Sequence, residues 1–547
     1  MFFSRINKLL AVAAIAVCGA SCTAGYLEIN SNPYGVTDDE MQRDGYAVRA
    51  ALIGIANGVI SPDVNTTQFT DCLLGGTQGG YLADANANFR NTISNYNPTD
   101  DWTNVFMKSP YVIPVIYSNY RQLHQVTDDP VILAVGDIIK VAAMHRVTDT
   151  YGPIPYSKIG QNGEINVPYD SQQDVYKKMF EELDAAVAAL IPNRTNNFAA
   201  SADVIYGGNV EKWIKFANSL KLRLAMRIVY ADPDLAKQMA ESAVSNEVGV
   251  MASNDDNAMF ASWGTSGNPI NVSVEYNMVT RHEDGTACVT ESGDSHTAAD
   301  IVCYMNGYND PRREFYFTQS EWDGREYVGM RRGIVIPDQA SVGHRFSGVR
   351  IGLTDPVCWM NAAEVAFLKA EAVAVFNFNM GTDARTAYEE GIRLSFEQWG
   401  AGDASSYMAD ATSVPETYTD PAGSNTYEGT LSTITVAWDE NATTEQKQER
   451  IITQKWIANW LLGNEAWSDW RRTGYPRLIP VTESGNYSAG RVNSTSGARR
   501  MEYPDDEAIS NSENYSYAVS SLLGEGGDNM STRLWFDCKP DNPAYNR

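Results

Sequence analysis

The chain is poor in the residues that metal and nucleophile chemistry draw on. Its 547 residues include only five histidines and seven cysteines. His124, His145, His282, His296 and His344 show no H-E-x-x-H spacing and no C-x-x-C pair occurs, so a zinc site lacks its ligand pattern. No Gly-x-Ser-x-Gly elbow stands ready for a serine nucleophile, and no EF-hand spacing is present. Cations are also scarce, with 42 Lys and Arg against 68 Asp and Glu, a formal charge of −26. A surface of that sign repels phosphate backbones and anionic headgroups, which excludes nucleic acid as a partner. After the first 21 residues no apolar run approaches the roughly 18 residues of a membrane helix.

What the N-terminus does contain is informative. Arg5 and Lys8 precede the apolar stretch Leu9 to Val17, and the small residues Gly19, Ala20 and Ser21 follow. This reads as a secretion signal over residues 1–21, too short to span a bilayer. Cys22 directly after the small residues reads as the acylated N-terminal cysteine of a bacterial lipoprotein, anchored by several acyl chains. Losing the two cations of the signal takes the formal charge from −26 to −28. Residues 22–37 then form a polar, lipidated tether. The remaining cysteines are Cys72, Cys288, Cys303, Cys358 and Cys538, odd in number and far apart, so no disulfide framework is expected. Cys288 and Cys303 are the nearest pair for a single bridge, and buried free thiols are the favoured reading.

Helical periodicity begins near Asp38 and runs to about Gly58. It recurs at about 109–124, 130–149, 171–190 and 209–230. Ser171 caps the fourth of these segments, with Val175, Met179, Leu183, Val187 and Leu190 on one face. Trp213, Phe216, Leu220, Leu224 and Ile228 line one side of the fifth, and Lys212, Lys215, Arg223 and Arg227 are expected mostly elsewhere. Helices return at 361–376, 382–399 and 444–462. In the first of these, alanines from Ala362 to Ala374 are small enough for close helix approach. In the last, Thr443 and Gln446 form a capping box, and Gly463 reads as a stop. Loop-rich sequence occupies about 73–101, 245–360, with a short strand at Glu326–Val328, and 476–547. Paired helices of this length suggest stacked helical hairpins, with irregular stretches interleaved.

The chain carries 12 Trp and 29 Tyr, more than a core needs, and flat rings stack on sugar faces. Tyr81, Phe89 and Tyr96 sit among Asn86, Asn88, Asn91 and Asn95, the mixture of rings and amides that sugar recognition requires. An Asn-rich turn segment with its rings folded inward is the competing reading. Trp102 reads as packing. Trp263, Asn268, Tyr276 and Arg281 form a second candidate group, and Trp322, Arg325 and Tyr327 a third. The run Gly75 to Gly80 lacks the features of a phosphate loop and reads as flexible. Arg471 and Arg472 are assigned to closing a helix end, pairing with Glu465 or Asp469. Two carboxylates for glycoside hydrolysis are available among so many acids, but no motif selects them. No cofactor motif appears, and acids such as Asp100 and Asp101 leave structural calcium open.

Several phrases in order carry a family resemblance. They are Thr148-Asp-Thr-Tyr-Gly-Pro-Ile-Pro-Tyr156, Pro168-Tyr-Asp170 to Tyr176, and Trp213-Ile-Lys-Phe-Ala-Asn-Ser-Leu-Lys-Leu-Arg-Leu-Ala-Met-Arg227. Tyr304-Met-Asn-Gly-Tyr-Asn-Asp-Pro-Arg312, Asn361 to Ala372, Gln454-Lys-Trp-Ile-Ala458, Trp470-Arg-Arg-Thr-Gly-Tyr-Pro476 and Arg499-Arg-Met-Glu-Tyr-Pro504 follow. Together they resemble the SusD/RagB family of Bacteroidetes outer-membrane lipoproteins, the SusD-like branch most. The resemblance implies a mainly α fold of four tetratricopeptide-like helix pairs, with an irregular, loop-rich ligand-binding portion and short strands. It implies one SusD-like domain over 38–547, its helical scaffold at about 38–245 and 361–475. The implied role is non-catalytic: capture of oligosaccharides at the cell surface, tethered by lipid alone, for a SusC-like TonB-dependent transporter. A RagB-like peptide-capturing role is the alternative, and a surface glycoside hydrolase a more distant one.

Overall fold

The computed structural model describes residues 45–87, 92–108, 112–160, 166–260, 295–338, 341–352 and 355–545. Cys22, Phe89, Trp263, Asn268, Tyr276, Arg281 and Cys288 lie outside the described residues. The chain divides into two units, Met1–Val48 and the compact body Arg49–Arg547.

Helices dominate. The main ones are α1 (Tyr46–Ala56), α2 (Val112–Val126), α3 (Pro130–Tyr151), α4 (Gln172–Leu190), α5 (Val210–Arg227) and α6 (Pro233–Val244). After the loop-rich middle come α7 (Ala299–Gly307), α8 (Ala362–Phe376), α9 (Ala384–Trp399), α10 (Thr444–Ala458) and α11 (Gly463–Thr473). Neighbours in sequence pack together: α2 on α3, α3 on α4, α4 on α5, α5 on α6, and α8 on α9. This is the stack of helical hairpins that the periodicity suggested.

Local chemistry fixes the helix ends. The Asp129 carboxylate accepts from Val131 N at 2.9 Å and Pro130 takes the first position of α3, where its missing N–H costs nothing. Ser171 Oγ accepts from Asp174 N at 3.1 Å to start α4, whose predicted apolar face is buried throughout. Thr443 and Gln446 form the expected reciprocal capping box on α10.

Three expectations are corrected. Gly463 opens α11 instead of ending α10. The run Gly75–Gly80 is no flexible loop, because it lies where the π-helical segment Gln68–Gly76 crosses α11. A Cβ on Gly463 would stand 2.2 Å from Gly75 C, and one on Gly79 would stand 2.6 Å from Gly463 O. Only glycine lets two backbones come this close. Gly463→Val is therefore expected to cost at least about 2–3 kcal/mol, since the backbones must separate. An unchanged urea midpoint would show that the crossing tolerates side chains. The third correction concerns Glu326–Val328, which belongs to no strand; Val328 and Ser347 instead exchange hydrogen bonds between loops.

The described strands are short: β1 (Leu82–Asp84), β2 (Ala258–Phe260), β3 (Ser295–Thr297) and β4 (Val357–Met360). β1 pairs antiparallel with β3, and β2 with β4. The β1–β3 pair joins the glycine-rich stretch to the middle of the chain. A buried cluster of Ala83, Ala298, Val328, Met330, Ile334 and Phe346 sits beside it. Among the described residues no helix is long and apolar enough to cross a membrane.

Candidate functional site

The helices are held by a buried charge network built from residues five helices contribute. Arg223 and Arg227 of α5 were expected away from the packed side, yet both are buried. Arg223 forms a fork with Glu364 of α8, Nε and Nη2 each 2.7 Å from a carboxylate oxygen. Arg227 pairs with Glu465 of α11 and with Asp149 of α3 at 3.3 Å. Lys455 of α10 reaches Asp469 at 2.7 Å and Glu465 at 3.1 Å. Arg472 forks onto Glu371 at 2.7 and 2.8 Å and also meets Asp469 at 3.0 Å. Charges can face a low-dielectric interior only when each is partnered in this way.

The expected pairing at the end of α11 holds for Arg472 and not for Arg471. Arg471 donates to the carbonyls of Asp149 and Arg499 at 2.5 and 3.0 Å and lies over the Trp467 ring at 3.7 Å. With burial dominant, its pKa falls to about 9.

A cavity of about 40 Å³ lies against this network, lined by His145, Asp149, Arg223, Trp359, Asn464 and Glu465 among others. One water needs about 10–15 Å³ of such space, so it holds a few waters and no sugar ring. A ligand must be sought on the loop-rich portion.

Three loop systems of that portion meet at Asn95, which is 1% exposed. Its Nδ2 donates to Ile334 O at 3.1 Å and to Gly485 O at 2.6 Å, and its carbonyl accepts from Tyr487 N at 2.9 Å. Gln78 Nε2 braces the same stretch through Ile93 O at 3.2 Å. The asparagine in this segment is thus a pin between loops rather than an open amide.

The neighbouring rings are corrected likewise. Tyr81 is fully buried; it stacks on Trp456 at 5.5 Å, meets Trp460 edge-on, and donates to Trp456 O at 2.5 Å. Tyr96 is 2% exposed, and burial raises its pKa to about 12. Neither ring has a face left for a ligand. The inward-folded reading holds for both; for Tyr81 the bond to Trp456 O satisfies the polar tip inside the core and makes burial favourable. Trp102 packs as expected, edge to face with Phe69 at 4.9 Å.

The third candidate group is partly at the surface. Trp322 is half-buried, lies edge-on to Phe346 at 5.7 Å, and carries the Arg345 guanidinium 3.6 Å from its ring centre. The two loops bearing this pair are clasped: Glu321 N donates to Arg345 O at 2.8 Å, and Arg345 Nη2 to Glu321 O at 3.2 Å. His344 stands 3.3 Å from Glu321. Arg325 is exposed and donates to Thr419 O at 2.8 Å. Tyr327 is 9% exposed beneath Arg313, so it offers an edge at most. Of the predicted rings that are described, Trp322 alone stays partly exposed, while Tyr81, Tyr96 and Tyr327 are buried.

Among the described residues no group of three or more His, Cys, Asp or Glu is placed to hold a metal ion. Cys303 is a buried free thiol, as are Cys72 and the partly buried Cys358; Cys288, the partner suggested for Cys303, lies outside the described residues.

The chain matches, over residues 28–537, a family model described as SusD-like, Susd and RagB outer membrane lipoprotein. It is similar to the crystal structure of a SusD homologue from Bacteroides uniformis, with 57% identity and a TM-score of 0.86, covering 91% of this chain and 100% of that one. A SusD homologue from Bacteroides thetaiotaomicron matches at 38% identity and a TM-score of 0.81, covering 90% and 99%. A chitin-binding SusD homologue from Flavobacterium johnsoniae matches at 37% identity and a TM-score of 0.80, covering 90% and 99%. No curated protein sequence matches the chain.

Proposed function

Because this chain belongs to the SusD-like family of outer-membrane lipoproteins, we propose that it is a non-catalytic glycan-binding protein of the cell surface. It is held by acyl chains on Cys22 and captures oligosaccharides for a SusC-like TonB-dependent transporter. The carrying observation is the likeness, at 37% identity over 90% of the chain, to a homologue that binds chitin. The loop face supports the reading. Trp322 backs the Arg345 guanidinium, leaving a flat, donor-rich group at the surface where sugar hydroxyls accept hydrogen bonds. Trp322, Arg345 and the exposed Arg325 are the residues assigned to ligand contact there, with Tyr327 contributing its edge.

Calorimetry of the chain against plant, microbial and mucin oligosaccharides, with peptides in parallel, tests this. Binding to a soluble glycan is expected, and Arg345→Ala is expected to weaken it by about tenfold, or about 1.4 kcal/mol. Binding to peptides and to no glycan would transfer the chain to the RagB-like role. Reducing-sugar release by the pure protein would overturn the non-catalytic assignment. Labelling with a radioactive fatty acid, lost in Cys22→Ser, tests the anchor.

A further inference from the structure

Few large apolar side chains are exposed in the described residues: Tyr46, Val335, Val414, Tyr487, Ile509 and Tyr517. Two of these, Val335 and Tyr487, belong to the two loops that the Asn95 amide ties together through Ile334 O and Gly485 O. The loops are in backbone contact as well, since a Cβ on Gly485 would lie 2.2 Å from Gly333 O. Thr482 N also donates to Gly333 O at 3.0 Å.

Tyr487 is mounted rigidly. Its own N–H is bonded to Asn95 O, and both flanking side chains are locked. Asn486 Nδ2 donates to Val492 O and Ser494 Oγ, each at 2.9 Å, while Asn486 Oδ1 accepts from Ser488 N at 3.1 Å and Ser488 Oγ at 2.7 Å. Yet the ring is 38% exposed. The backbone N–H of Tyr487 and its two flanking side chains are held in the fold, while more than a third of the ring stays exposed. A rigid aromatic with two side-chain torsions costs little entropy to use, which is what a preorganised contact needs. Its face matches the C–H face of a sugar, and the exposed Glu483 and Ser484 beside it can meet hydroxyls.

We infer that Tyr487 is a stacking platform for a pyranose ring, with Val335 extending its apolar surface. This rests on the glycan-binding reading above. The ligand class is an oligosaccharide with at least one pyranose face free of axial hydroxyls, a shape that lies flat on a ring.

Calorimetry with chito-, cello-, xylo- and manno-oligosaccharides, using the full chain, tests it. At least one is expected to bind, Tyr487→Ala to weaken that binding about tenfold or more, and Tyr487→Phe and Tyr487→Trp to stay within about threefold of wild type. Tyr517→Ala removes an exposed ring from another segment and is expected to change nothing. Equal melting temperatures keep folding out of the comparison. Wild-type binding that Tyr487→Ala leaves intact overturns the inference alone. Failure of the wild type to bind any of the four overturns the inference, and the glycan reading falls with it when the mucin and other microbial glycans fail as well. Loss of binding in Tyr487→Phe equal to that in Tyr487→Ala would make the hydroxyl, not the ring, the contact, and overturns stacking.

Discussion

Arg472→Met is expected to destabilise the body by about 3–5 kcal/mol, the cost of leaving a buried charge without its partner. Arg472 and Glu371 are both fully buried and bonded in a fork. Burial by itself would lower the Arg472 pKa, but Glu371 and then Asp469 reverse this and hold it above the ordinary arginine range. The guanidinium is thus a fixed charge at every accessible pH. Its removal strands Glu371, which among the described residues keeps one side-chain hydrogen bond, from Gln448 Nε2 at 2.8 Å. Asp469 suffers less, because Lys455 remains 2.7 Å away. The double variant Arg472→Met with Glu371→Leu takes away both members and is expected to recover most of the loss, since apolar replacement of a whole buried pair is often neutral. Urea denaturation at neutral pH reads both. If the double variant is as unstable as the single one, the pair contributes by more than avoiding a stranded charge, and the network must be treated as one unit.

The same network explains what the sequence made legible. Asp149, Arg223, Arg227, Glu364, Glu371, Lys455 and Arg472 all fall within the phrases that carry the family resemblance. Their order along the chain identified the fold, but not their role, because a charged residue on a helix is ordinarily solvated. Only the partners, contributed by other helices, reveal that these side chains point inward. Helix starts were readable for the opposite reason: Ser171 and Thr443 act on backbone three residues away. The misreadings share a cause with the network. Gly75, Gly79 and Gly463 look like punctuation until their separate segments are seen to cross. Tyr81 and Asn95 look like ligand groups until Trp456, Ile334 and Gly485, hundreds of residues distant, claim them. Tyr487 shows the reverse, an unremarkable ring in a polar tail that the Asn95 pin brings to a defined place. Contacts of long sequence separation decide which of many aromatic residues face outward, and a single sequence does not display them.

His145→Gln is expected to flatten the acid limb of the stability curve between about pH 6.5 and 5. His145 is buried in α3, with Nδ1 3.2 Å from Val141 O. Burial and then the charge of Arg223 lower its pKa to about 3, with Arg227 adding to this and Glu465 opposing it. The unfolded chain titrates this group near 6.5, so between pH 3 and 6.5 the unfolded state binds a proton that the folded state refuses. Stability therefore falls as pH drops below 6.5, by about 1.4 kcal/mol per pH unit, or roughly 2 kcal/mol by pH 5. Glu465 and Asp469 act in the same direction at lower pH. Burial would raise their pKa values, but Arg227 and Lys455 for the first, and Lys455 and Arg472 for the second, hold them below the ordinary range. The stability they contribute is present above the usual carboxylate pKa and lost as pH falls through their folded values. Asp149 runs the other way. Burial outweighs Arg227 and raises its pKa, so its contribution is present in acid and lost as pH rises through that value. Because Glu465 and Asp469, held below the ordinary carboxylate range, stay charged between pH 6.5 and 5 with or without His145, subtracting the two urea-midpoint profiles over that window leaves the histidine. Parallel profiles would mean that His145 takes up its proton in the folded state, which the neighbouring Arg223 and Arg227 would have to move to permit.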